Sequence, residues 1–277
     1  MAVTRTAMPD PTGALGHPFM QRALVAALCC GVACACIGTH LVARRMTFVG
    51  SALTHTLLPG IAAAFLLGFS PYLGALGAAA VTAGLIALAG VRREGREDAA
   101  IGVAQSALFA AGVLIMARSE SWRDFGGMLF GSVLGVGEGD LAWTAALAAG
   151  TVATLLAGHR ALEAAAVDED YARGAGLRPE LLRIGLVLLA GAAAASAVGL
   201  LGAMLTSALL IVPAAGGLLL GRSLAGAMAW ASAIAATGVT AGLIASYHIE
   251  ALPSGAAMVG GCCAGFALAR AWRALRG

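Results

Sequence analysis

Long apolar runs follow one another along the chain, separated by short stretches where arginine, proline and glycine collect. Runs of roughly 18–25 residues are what a helix needs to cross the hydrocarbon core of a bilayer. They predict spans at about 20–41, 47–69, 73–91, 100–117, 141–158, 182–199, 201–220, 224–245 and 255–271. Phe125–Val136 is mostly apolar but too short to span, so it is predicted as a re-entrant or surface segment. Eight and ten spans stay open beside nine. Strand-like alternation is absent, which argues against a transmembrane barrel. The predicted fold class is therefore all-α, a polytopic transmembrane helical bundle. Residues 1–18 read as a polar, Pro-containing tail and 19–277 as a single transmembrane domain. The first apolar run continues too far for a cleaved leader and is predicted to be a retained first span.

Composition sharpens this picture. Hydrophobic residues make up 60% of the chain and charged residues 11%, against about a quarter charged in soluble domains. All seventeen basic residues are arginine. A P-loop needs a lysine to reach the nucleotide phosphates, so ATP is not bound in that way by this chain. With the N-terminus outside, thirteen arginines fall in inner loops and four (Arg5, Arg22, Arg118, Arg123) outside. Cytoplasmic loops retain positive charge, so this orientation is predicted. The net charge of +3 reflects those loops and gives no sign of a nucleic-acid partner.

Three segments carry candidate chemistry. In Arg44–Gly60, His55 sits about 15 Å beyond the arginine pair at helical rise, with Ser51 one turn before it on the same face. An ionisable group at that depth usually faces the bundle interior or a water-filled path. Pro59 has no N–H for the carbonyl of His55, so a kink is predicted there. A metal ligand and a packing histidine beside a kink are both compatible with these residues. In the longest arginine-rich loop, Asp168 can cap a short helix with the acidic first turn Glu169-Asp170, followed by Tyr171, Ala172 and Arg173, with Gly176 at its end. A docking element and an ordinary solvated helix both fit. In an outer loop, His248 and Glu250 could meet an incoming cation or simply be solvated. Pro213 should kink the seventh span. The six cysteines lie inside apolar runs without loop CxxC pairs, which suits packing better than a metal relay through Cys34 and Cys36. His17, His40 and His159 show no pattern of their own.

Four stretches resemble one family: RRMTFVGSALTHTLLPGIAAAFLLG, REDAAIGVAQSALFAAGVL, DEDYARGAGL, and SALLIVPAAGGLLL with the later LPSGAAMV. Together, in this order, they are similar to the permeases of bacterial zinc and manganese ABC importers. That resemblance implies a homodimeric or paired permease in the cytoplasmic membrane, two cytoplasmic ATPase subunits that hold the ATP, and an extracytoplasmic metal-binding protein. It implies no enzyme activity and no cofactor in this chain. It makes His55 a favoured pathway residue and Asp168–Gly176 the ATPase-coupling segment. One departure matters: the family's Asp four residues before the histidine is Ser51 here. The change leans from manganese toward zinc, which takes nitrogen ligands more readily. Glu250 or a backbone carbonyl would then have to supply the oxygen. Two other readings compete, a permease for iron chelates or cobalamin-like substrates and an ATP-independent secondary transporter. The second predicts membrane-embedded carboxylates, and the predicted spans contain no Asp or Glu.

Overall fold

A computed structural model describes residues 17–88, 96–117, 135–249 and 252–276. Its helices are α1 (Pro18–Ala43), α2 (Thr47–Thr56), α3 (Leu58–Leu67), α4 (Pro71–Leu88), α5 (Arg96–Ala117), α6 (Glu138–Val167), α7 (Glu169–Gly174), α8 (Pro179–Leu201), α9 (Ala203–Leu220), α10 (Leu224–His248) and α11 (Ser254–Arg276). Among the described residues there is no strand. Among the described residues six rods are long and apolar enough to cross a membrane, α2 and α3 counting as one, and α4, α5 and α9 are shorter apolar rods. The expected all-α transmembrane bundle is what folds, and the described helices fit roughly nine spans.

α1 is the central post. Small and medium side chains (Ala23, Cys30, Cys34, Ile37) bury completely and let α6, α8, α9 and α10 approach it closely. That is how helices associate in lipid, where no hydrophobic force separates one apolar surface from another. The cysteines serve this packing: Cys30 Sγ donates to the Ser196 carbonyl at 3.2 Å, and Cys36 Sγ lies 3.3 Å from Ser232 Oγ.

α1 ends in a Schellman turn, with Arg45 N bonded to Val42 O at 3.1 Å and Met46 N to Leu41 O at 2.8 Å. Arg45 occupies the left-handed position that glycine usually fills, at φ 59°. This turn aims the chain directly into α2.

Two boundaries differ from the sequence expectation. α6 is 30 residues long and runs to Val167, nine residues past the predicted end of its span. Hydropathy marks where the bilayer ends; the segment after it, Ala161–Ala166, consists of good helix formers, so the helix continues beyond the membrane boundary. His159 is therefore helical and not in a loop. α11 likewise extends to Arg276. Of the expected tail, residues 1–16 lie outside the described residues, as do 125–134 of the expected re-entrant segment.

Arginines collect at one end of the bundle. Arg44, Arg45, Arg160, Arg173, Arg178, Arg222, Arg273 and Arg276 lie in the turns or helix ends on the side of α7, and Arg96 begins α5 there. Arg22 lies at the opposite end, where it pairs with Glu138 at 2.7 Å.

Candidate functional site

The span carrying His55 is broken where proline requires it. α2 stops at Thr56, the chain turns through Leu57, and α3 starts at Leu58 with Pro59 in its first turn. Pro59 lacks the N–H that the His55 carbonyl would take in a regular helix. The ladder resumes at once, with Ile61 N bonded to Leu57 O at 3.1 Å. By contrast α9 runs from Ala203 to Leu220 with Pro213 inside it.

From Val49 to Leu58 nearly every position is buried. Ser51 and His55 are half-buried, and Pro59 continues the same row four residues on. Spacing of four puts them on one face, with Ser51 and His55 the partly open positions of the otherwise enclosed stretch from Val49 to Leu58. The His55 ring meets Phe109 of α5 edge-to-face, with centroids 5.9 Å apart.

Glycines hold the break from two sides. A Cβ on Gly112 of α5 would fall 2.9 Å from Pro59 N. On the other side α3 crosses α4 through Gly60 and Gly74, and a Cβ on either would meet the other's carbonyl oxygen at 2.1 or 2.2 Å. Ala64 and Ala78, four residues further along each helix, complete a small-xxx-small crossing.

Among the described residues no group of three or more His, Cys, Asp or Glu side chains could hold a metal ion. One copy of the chain thus offers His55 and Ser51 without a preformed cage. His248 lies apart, at the end of α10, edge-to-face with Tyr247 at 5.2 Å. Tyr247 also faces His17, 6.2 Å away. Glu250 lies outside the described residues.

The loop helix forms as its caps dictate. Asp168 accepts from the amides of Asp170 and Tyr171 at 2.8 and 3.1 Å. Gly176, at φ +81°, closes a Schellman turn with Leu177 N bonded to Ala172 O at 2.9 Å. Arg173 pairs with Glu169, Asp170 and Glu180. Ala172 is buried against the bundle while Tyr171 is 69% exposed, so α7 presents one aromatic face outward.

Sequence reasoning missed the junction above α7. His40 of α1 is fully buried, with Nε2 3.3 Å from Nδ1 of His159 on α6. His159 Nε2 lies 3.7 Å from a Glu163 carboxylate oxygen. One turn further, Arg44 donates to the Leu162 carbonyl. Burial pulls the Arg44 guanidinium below its ordinary pKa, and the Glu169 carboxylate of α7 opposes that shift. The turn leading to His55 is thus fastened to the helix that leads into α7. A lone histidine near a span end carries no signal for a partner 119 positions away.

Comparison with known proteins places this geometry. The chain matches the ABC 3 transport family over residues 16–272. It is 32% identical over 252 residues to the manganese transport system membrane protein MntC of Listeria monocytogenes, covering 89% of this chain and 88% of that one. It is 30% identical over 234 residues to the chelated iron transport system membrane protein YfeD of Yersinia pestis, covering 84% and 79%. Among solved structures it resembles PsaBC from Streptococcus pneumoniae in complex with Fab, with a TM-score of 0.85, 27% identity and 93% of each chain covered. An inward-facing metal-chelate type ABC transporter shares the fold at a TM-score of 0.71 and 17% identity, over 97% of this chain and 91% of that one.

Proposed function

The chain belongs to the ABC 3 transport family, and from that premise we propose that it is the permease through which a divalent transition metal crosses the cytoplasmic membrane. It is a multi-pass integral membrane protein of the metal ABC importer family. ATP hydrolysis falls to separate cytoplasmic ATPase subunits, and an extracytoplasmic metal-binding protein delivers the cargo.

The observation that carries this reading is the half-open Ser51–His55–Pro59 stripe on a broken span. A dry interior strongly disfavours a naked divalent ion, so a pathway must replace water with protein ligands. His55 supplies a neutral imidazole and Ser51 a hydroxyl. A second copy of the permease brings a second pair, which supports a homodimer, since one copy alone lacks a ligand cage among its described residues. So sparse a site is weak, and a transporter must release what it binds. His248 and Glu250 serve at the outer entrance, and Asp168–Gly176 docks the ATPase at the arginine-rich, cytoplasmic end.

Imidazole beside a hydroxyl, without a carboxylate, favours zinc over manganese. Manganese is the second reading, supported by the relative named for manganese transport. The test is His55→Ala in cells lacking other metal importers, with uptake of radioactive zinc and manganese as the readout. Uptake is expected to be lost while the permease still assembles with its ATPase. Parental uptake of both metals would leave His55 a packing residue and end the proposal.

A further inference from the structure

A groove of about 970 Å³ opens between the end of α9, the first half of α10 and the second half of α11. That is the upper end of ligand-pocket size, about 300–1,000 Å³. It lies away from the His55 stripe. Its walls are apolar and open: Trp230 and Trp272 are each about half exposed, and Leu268 is 72% exposed. Its mouth is basic. Arg222, Arg273 and Arg276 line it, and among the described residues no Asp or Glu does. Glu250, outside the described residues, is the only acidic residue anywhere in the chain after Glu180.

The mouth is ordered. Arg273 Nη1 donates to the Leu219 carbonyl at 2.6 Å, which fixes that guanidinium across the α9–α11 gap. Arg276 lies over the Trp272 ring, 4.1 Å from its centroid. Arg222 is exposed, and among the described residues no acceptor is bonded to it. From this mouth the apolar walls reach back along α11 from Arg276 to Gly265, about 16 Å at helical rise.

From this geometry we infer that the groove binds an anionic phospholipid, its phosphate held by Arg222, Arg273 and Arg276 and an acyl chain lying along Trp230, Leu268 and Trp272. Basic pockets between spans recognise acidic lipid headgroups, and tryptophan suits the boundary between headgroup and chain. A water-soluble subunit could reach the arginines but could not follow apolar walls so far into the span. A second copy of this face would set arginine against arginine with no Asp or Glu among the described lining residues to neutralise either. At the usual worth of a basic side chain near an anionic headgroup, three arginines favour an acidic over a zwitterionic lipid by about 100-fold.

The test uses the full chain, with Trp122 and Trp143 replaced by phenylalanine, in vesicles containing brominated phosphatidylglycerol or brominated phosphatidylcholine at equal low fraction. Bromine on the acyl chain quenches tryptophan only on contact. Trp230 and Trp272 are expected to be quenched more strongly by the acidic lipid. The triple variant Arg222→Gln, Arg273→Gln, Arg276→Gln should remove that preference while leaving quenching by phosphatidylcholine unchanged, which also reports that the variant is folded. Equal quenching by both lipids, unaltered in the triple variant, would make the groove ordinary lipid-facing surface and overturn the inference. Absence of quenching by either lipid would mean that protein covers the groove and would overturn it too. Retention of phosphatidylglycerol through detergent purification, read by native mass spectrometry, gives a second measurement, and equal retention by parent and triple variant would refute the site.

Discussion

Replacing Gly74 by alanine tests whether the α3–α4 crossing holds the broken span in place. The new Cβ falls 2.2 Å from the Gly60 carbonyl oxygen and 2.7 Å from Ala64 Cβ. The nearest obstacles are backbone and a methyl group, so no flexible side chain can yield. The helices must part by on the order of 1 Å, which forfeits a quarter to a half of each contact's dispersion well. Forcing atoms into a packed interface costs about 1–3 kcal/mol, and a carbonyl this close belongs at the upper end. Alanine returns about 1 kcal/mol of helix propensity relative to glycine. The net loss is about 2 kcal/mol, a fall in melting temperature on the order of 5 °C for a chain of this size. The melt can be followed in detergent with a thiol-reactive dye, because Cys30 and Cys34 are fully buried until the bundle opens. Gly77→Ala, on the same helix, is the control: a Cβ there meets nothing within 4 Å, so stability should hold or rise slightly. In the double variant Gly60→Ala, Gly74→Ala the losses should be clearly less than additive, since the first methyl has already parted the helices. If Gly74→Ala melts like Gly77→Ala, the crossing does not hold the span and the argument fails.

Other expectations follow from the same geometry. Ser51→Asp restores a carboxylate one turn from His55 and should move the ratio of manganese to zinc uptake toward manganese by on the order of tenfold, about 1.4 kcal/mol; an unchanged ratio measured in competition would count against metal contact at this face. Ala172→Pro removes the amide that bonds to Asp168 O at 3.1 Å and forces a ring into a fully buried position, costing about 3 kcal/mol locally. It should uncouple ATP hydrolysis from uptake with the permease still in the membrane, and full coupling would refute docking at α7. Cysteines replacing Arg96 and Arg276 should be labelled only from the cytoplasmic side, so reaction with an impermeant reagent outside intact cells would reverse the proposed orientation.

Much of the fold was legible because hydropathy and length report directly on the bilayer. Caps were legible as well: Asp168 and Gly176 act locally, within a few residues of the backbone groups they satisfy, and the structure puts both to that use. The break at Pro59 follows from one missing N–H. What could not be read depends on distant partners. The approach of Gly60 to Gly74 is invisible in a chain with 39 glycines, because only the crossing shows which of them another backbone needs. The contact of His40 with His159 requires knowing that α1 lies against α6. The end of α6 was misplaced because the polar His159 and the charged Arg160 mark where lipid stops, while helix propensity decides where the helix stops. For the candidate site, the stripe of Ser51 and His55 was readable from spacing, whereas its half-open setting and the contact of His55 with Phe109 were not.

α1 precedes in the chain every helix that encloses it. Its partners include α10, which is complete only about two hundred residues later, roughly 10–40 s at ordinary elongation rates. Until α6 brings His159 and α8 brings Ala193 and Ser196, His40, Cys34 and Cys30, which the finished bundle buries completely, have only lipid, insertion machinery or earlier spans beside them. The early helix must therefore be retained beside its insertion channel or be held by α6 and α8 in turn. Substitutions that make α1 less apolar should show first as lost yield during biosynthesis, before any change in the transport rate of molecules that mature.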